Sequence, residues 1–145
     1  MEAIVFRIGA EYFGIEKNKL RGIMHAEEAI KVSNMHSAKI DGMLSLQNNI
    51  IPIVNLNEKL QIERLNVQGS TYYLIVALYN KMFAFLIDKP ERYYDVPLEH
   101  LNPVPQILQS GKQQYFRWIA HIDNRLVFIL DPEQLFEIGN RYNIN

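Results

Sequence analysis

Apolar residues in this chain arrive in runs of four to eight, each closed by about two turn-forming residues, and that punctuation favours β-hairpins over long helices. Ala3 to Ile8 is expected to turn at Gly9-Ala10 into Tyr12 to Ile15, and Gly42 to Leu46 at Asn48-Asn49 into Ile50 to Val54. Tyr72 to Tyr79 turns at Asn80-Lys81 into Met82 to Ile87, and Tyr115 to Ile122 turns at Asp123-Asn124 into Arg125 to Leu130. Asn, Asp and Gly tolerate the positive φ that tight hairpin loops demand, so each break has a mechanism. The longest nearly apolar stretch, Tyr72 to Ile87, is interrupted by Asn80-Lys81 and falls short of the roughly 20 residues a membrane helix needs.

The hairpins are also repeated. Residues 42–60 lie without gaps on residues 118–136, at an offset of 76: Leu46 falls on Ile122, Asn48 on Asn124, and Ile50 to Val54 on Leu126 to Leu130. Each copy ends in a helix start, with Asn55 and Asp131 as N-caps and Pro132 in the first helical position. A looser match lays Gly14-Ile15-Glu16-Lys17 on Leu86-Ile87-Asp88-Lys89. The expected architecture is mainly β: residues 1–68 form a first barrel, residues 69–145 a second with a terminal helical turn, and the two share one domain. The polar segment Arg64 to Thr71 is the expected crossing point, and the unbroken run Ile50 to Val54 is expected to be buried on both faces.

Composition then removes whole classes of function. There is no cysteine, which excludes disulfide scaffolds, thiolate metal sites and cysteine nucleophiles and suits a reducing compartment. Residues Met1 to Ile8 alternate like a strand and lack the basic and apolar regions of a secretory signal, so a cytoplasmic location is expected. Net charge is -1 with no block of like charge, which leaves nucleic acid without an electrostatic foothold.

Chemistry is equally scarce. His25, His36, His100 and His121 lack metal-ligand spacing, and His121 is expected on a strand face. No nucleophile elbow or phosphate-binding loop occurs, since Gly111-Lys112 lacks the upstream glycine. Glu27-Glu28 would point to opposite faces of an extended chain, and Lys17, Lys19 and Arg21 would form a basic stripe if that segment is extended. Aromatic side chains should fill the core, with Met82 and Phe83, beside a turn, as candidates for a protein contact. A ligand-binding barrel using Trp118, His121 and Asp123 is the alternative from another class. No catalytic residue, metal or cofactor is expected.

The order of motifs resembles the CheW family along nearly the whole chain. The pieces are Phe6-Arg7-Ile8-Gly9 with Tyr12-Phe13-Gly14-Ile15, and Ile40-Asp41-Gly42-Met43-Leu44-Ser45-Leu46 leading into Ile50-Ile51-Pro52-Ile53-Val54-Asn55-Leu56. The second half adds Met82 to Asp88, Asn102-Pro103-Val104-Pro105, and Asp123 to Asp131. The resemblance implies two small five-stranded SH3-like β-barrels packed together and a chemotaxis adaptor with no active site. One barrel surface would meet the regulatory domain of a CheA-like histidine kinase, and a groove would grip the cytoplasmic tip of a chemoreceptor, so the protein would reach membrane arrays without inserting in the bilayer.

Carried over by position, the partner-binding residues would be Leu20, Gly22, Ile23, Gly42, Gln47, Asn48, Met82 and Phe83. This sequence departs from the family at two of them: Gly22 stands where the family usually has glutamate, and Gln47 where it has arginine. If the family's two charges are neighbours, losing one would leave a partner unpaired at about 3 to 5 kcal/mol if buried, whereas losing both is nearly neutral. The paired loss would alter recognition and spare the fold, which makes an array filler or competitor without receptor coupling a second reading. Trp118 also replaces a family glycine at the place that matches Gly42, and the usual prolines are missing between Val32 and Ile40.

Overall fold

The computed structural model describes residues 1–36, 40–62, 71–105 and 114–135, with backbone alone at 33–36 and 40–41. Twelve strands lie in the described residues: β1 (Glu2–Ile8), β2 (Glu11–Glu16), β3 (Leu20–His25), β4 (Ile30–His36), β5 (Ile40–Leu46), β6 (Asn49–Val54), β7 (Tyr72–Leu78), β8 (Lys81–Ile87), β9 (Lys89–Asp95), β10 (Leu101–Pro103), β11 (Phe116–Ile122) and β12 (Arg125–Leu130). A short helix, α1 (Leu56–Leu60), follows β6, and a helical turn over 132–135 follows β12. The expected five strands per barrel are six. Sheet I has the order β10-β11-β12-β2-β1-β9 and sheet II the order β3-β7-β8-β6-β5-β4.

The sheets do not follow a division at residues 68 and 69. Sheet II is one continuous stretch of chain, β3 to β8, while sheet I is assembled from the two ends, β1-β2 and β9 to β12. The chain crosses between sheets at the 3-10 turn Lys17–Lys19 and at Asp88, not through the expected segment Arg64 to Thr71, of which 64–70 lie outside the described residues. Each repeat therefore lends its first hairpin to the other's sheet. Two parallel pairings result, β2 with β12 (Ile129 beside Gly14) and β8 with β6 (Ile53 beside Ala84).

Those pairings fix the internal equivalences. The offset of 76 holds for β5 and β11 and for β6 and β12. The first hairpins match at an offset of 70, so Gly14 corresponds to Ala84 rather than to Leu86. Sequence similarity is too weak in those strands to register them, whereas the parallel ladder does so directly. The helix starts repeat as expected: Asn55 Oδ1 accepts from Glu58 N at 3.2 Å, and Asp131 Oδ1 from Glu133 N at 3.0 Å.

Turn positions also shift. Gly9-Ala10 and Asp123-Asn124 stand where expected, but the pairs Leu46 with Asn49 and Leu78 with Lys81 place the other loops at Gln47-Asn48 and Tyr79-Asn80, one residue earlier. Positive φ at both residues of Gln47-Asn48, Tyr79-Asn80 and Asp123-Asn124 matches type I′ turns, each with Asn second. Side-chain alternation fixes strand register, and the turn must follow it even when this puts Gln or Tyr at positive φ.

Three apolar cores stack across the molecule. Ala3, Val5, Ala120, Ile122, Val127 and Ile129 fill sheet I; Leu44, Ile51, Ile53, Tyr73, Ile75 and Ala84 fill sheet II. Between the sheets lies the largest core, with Ile4, Phe6, Phe13, Leu56, Leu74, Val76, Phe85, Phe116 and Leu130. Strands β1 and β7 feed two cores at once, which is why Ile4-Val5-Phe6 and Leu74-Ile75-Val76 are buried on both faces. β6 shares this property only in part: Ile51 and Ile53 lie in the core of sheet II and Val54 packs against the central core, but Ile50 is 58% exposed. The run Ile50 to Val54 is therefore covered on both faces at its Val54 end and open on one face at Ile50.

Candidate protein interface

The uncovered face belongs to sheet II. Ile30 on β4 pairs with Ser45 on β5, which pairs with Ile50 on β6, so the two isoleucines stand in one cross-strand row, 65% and 58% exposed. The next row carries Met43 and Pro52, both half-buried, and continues to Phe83 on β8 through the β6–β8 ladder. Between the starts of β6 and β8 runs an open groove of ≈ 280 Å³, lined by Asn49, Ile50, Ile51, Pro52, Asn80, Lys81, Met82 and Phe83. Single exposed apolar side chains are ordinary, but a set spread over four strands, interrupted at Ser45, has the character of a contact surface.

Several of the expected residues meet here. Met82 and Phe83 form one wall of the groove. The exposed Gln47-Asn48 turn sits at its rim, joined to the opposite wall through Asn49 Nδ2, which donates to Gln47 O at 3.4 Å. Leu20 belongs to the row of Phe83, since Leu20 pairs with Val76 and Val76 with Phe83. Leu20 and Ile23 are half-buried against the central core, and thus only their outer parts can touch a partner.

Others stand apart. Gly42 is buried at the bulge between Ile40 and Met43, where its φ of 109° excludes an ordinary side chain. Its role is to shape β5. Trp118, its repeat counterpart, also lies at a bulge but packs on the core of sheet I. Gly22 pairs with Ile75 on β7, and β7 and β8 separate its strand from β6, so Gly22 and Gln47 are not sheet neighbours. A Cβ on Gly22 would meet nothing closer than Ile75 Cγ1 at 4.0 Å, which leaves the position open to larger residues.

The remaining candidates resolve differently from expectation. Lys17–Lys19 is a 3-10 turn rather than an extended stripe: Lys17 reaches Glu2 at 3.3 Å, Lys19 reaches Glu133 at 3.8 Å, and Arg21 donates to Asn18 O. Glu27-Glu28 also lies in a 3-10 turn, capped by His25 Nδ1, which accepts from Glu27 N at 3.2 Å. Among the described residues no group of three His, Asp or Glu could hold a metal. Trp118, His121 and Asp123 do not surround a pocket, because Trp118 faces the core, His121 is exposed, and Asp123 is held by Tyr94 and Arg92. Ile30, Met43, Ile50 and Pro52 escaped the sequence reading; the signal available was the break in alternation at Ile50-Ile51.

Comparison with known proteins completes this picture. The model of the CheW-like domain family matches residues 2–139. The chain belongs to this family. Among curated relatives of this CheW-like chain, a chemotaxis protein CheW of Treponema pallidum (strain Nichols) is 24% identical over 144 residues, covering 93% of this chain and 81% of the relative. A chemotaxis protein CheW of Klebsiella aerogenes is 20% identical over 134 residues, with 92% and 80% covered. The crystal structure of the scaffolding protein TtCheW from Thermoanaerobacter tengcongensis superposes with a TM-score of 0.83 at 17% identity, covering 99% of this chain and 97% of that one. The two sheets are accordingly the two SH3-like subdomains of a CheW-like fold.

Proposed function

We propose that this chain is a non-enzymatic adaptor that couples the cytoplasmic tip of a chemoreceptor to the regulatory domain of a CheA-like histidine kinase. The observation that carries the reading is the exposed apolar face of sheet II, with its groove between β6 and β8, on a chain whose residues 2–139 match the CheW-like family. Relatives named as chemotaxis proteins and a structural neighbour named as a scaffold support it. A groove walled by Met82, Phe83, Ile50 and Pro52 suits an amphipathic helix, whose apolar stripe would be covered on docking. Met82 and Phe83 are the anchors, Leu20 and Ile23 extend the contact along β3, and Gln47 and Asn48 border it. The protein would work in the cytoplasm and reach membrane arrays through its receptor.

The test is capture of the purified partners. A CheA-like regulatory domain and a receptor-tip fragment from the same host should each bind at micromolar concentrations, and failure of both refutes coupling.

A second reading follows from Gly22 and Gln47, two separate positions of sheet II where the resemblance would put glutamate and arginine. In it the chain fills or competes within an array without coupling the receptor. The variant Gly22→Glu/Gln47→Arg decides between the two, since the space at Gly22 admits the change. Kinase control that appears only in the variant favours the filler; control already complete in the unaltered chain excludes it.

A further inference from the structure

Far from the groove, the end of sheet I where β1 turns into β2 and β11 into β12 carries a wreath of cations. Arg7 on β1 pairs directly with Tyr12 on β2. From the other flank of β2, the Arg125 guanidinium of β12 lies over the Tyr12 ring, 3.8 Å from its centroid. Beside Arg125, Asp123 in the turn accepts from Tyr94 Oη at 2.9 Å and from Arg92 Nη2 at 3.3 Å. Arg92 in turn covers the Tyr94 ring at 4.6 Å, and β9, which carries both, adjoins β1 again. Three guanidiniums thus surround this end with two carboxylates among them, Asp123 and the buried Asp88, whose Oδ2 accepts from Gly9 N in the β1–β2 turn.

Neither carboxylate pairs with Arg7 or Arg125. Asp123 serves Arg92, and hydrogen bonding to Tyr94 first, then attraction to Asp123, raises the Arg92 pKa above its ordinary value. Arg7 and Arg125 have no carboxylate within ion-pair distance among the described residues, and the Nε of each is buried without a hydrogen-bond partner. Stacking on Tyr12 orients the Arg125 plane, and the residue remains partly exposed. Arg7 and Arg125 stand on the two strands that flank β2, each without an ion-pair partner among the described residues, and a guanidinium so placed suits a carboxylate. Such a local excess of positive charge on a chain of net charge -1 selects an acidic partner.

We propose that Arg7, Tyr12 and Arg125 form a docking site for an acidic segment of a partner protein, recognised through its side-chain carboxylates. This goes beyond the coupling role, because the site lies on sheet I and shares no residue with the groove of sheet II.

The experiment uses the full chain and a short polyglutamate peptide at low salt, followed by NMR. Saturable shifts centred on the amides of Arg7, Tyr12 and Arg125 and on the two Nε–H signals are expected. Arg125→Gln and Arg7→Gln should each weaken binding about tenfold, and added salt should weaken it further. Arg125→Lys keeps the charge and loses the planar stack, so it should restore only part of the affinity; it also serves should the glutamine variant fail to fold. Lys31→Gln, on β4 of sheet II, should change nothing. Inorganic phosphate is the second arm: matching shifts at equal charge would assign the site to free oxyanions and overturn the acidic segment. Shifts spread over all basic residues, or an equal loss in Lys31→Gln, would overturn the site itself.

Discussion

Gly14 and Ile129 lie side by side in the parallel ladder of β2 and β12, so close that a Cβ on Gly14 would stand 2.7 Å from Ile129 Cδ1. The equivalent pair in the other sheet is Ala84 beside Ile53, where the methyl is accommodated. Gly14 is thus demanded by packing and not by backbone angle. Gly14→Ala should cost about 1 to 3 kcal/mol by overpacking. Ile129→Val alone should cost about 1 kcal/mol, and the double variant less than the sum, because removing Cδ1 makes room for the new methyl. Chemical denaturation of the four proteins measures the coupling, and strict additivity would contradict it.

Asp88 is 1% exposed, and its Oδ2 accepts from Gly9 N at 2.6 Å, tying the β1–β2 turn to the crossing between sheets. Asp88→Ala strands a buried N–H and should cost about 2 kcal/mol, whereas Asp88→Asn keeps an acceptor oxygen and should cost less. Amide exchange at Gly9 should accelerate in the alanine variant ahead of global unfolding.

Asn124 takes the second position of a type I′ turn at φ 62°. Replacing it by Gly gives Asp-Gly, the sequence such a turn prefers, and relieves left-handed strain while adding entropy to the unfolded chain. The balance should stabilise the protein by about 0.5 kcal/mol, raising Tm by roughly 2 °C.

Ile50 and Ile30 are exposed on the proposed contact face. Ile50→Glu or Ile30→Glu should change stability by no more than about 0.5 kcal/mol, as surface substitutions do. The same variants should weaken capture of a receptor tip or kinase regulatory domain about tenfold. Unchanged capture by both would remove this face from the interface.

The mainly β class and the repeat were legible because both depend on local pattern: apolar runs, turn residues and the caps Asn55 and Asp131. The hairpin exchange was not legible. Nothing local distinguishes β1-β2 pairing into its own half from pairing into the other, since both options bury Ile4, Phe6 and Ile8 equally well. Turn register failed by one residue at Gln47-Asn48 and Tyr79-Asn80, because side-chain alternation overrode the stronger turn formers. Met82 and Phe83 could be picked out from their place beside a turn. Ile30 could not, because its exposure depends on which strand lies beyond β4.

Sheet I is built from the two ends of the polypeptide, and synthesis meets them in the worst order. The stretch from Leu20 to Ile87 can close as soon as it leaves the ribosome, while residues 2–16 must wait for β12, more than a hundred positions downstream, before their ladder exists. During that interval the Ile4 and Phe6 face can pack only against sheet II, and the Val5 face lacks the residues of β11 and β12 that cover it. The residues made first are thus the last to be fully enclosed, and until then one apolar face of them is open to aggregation.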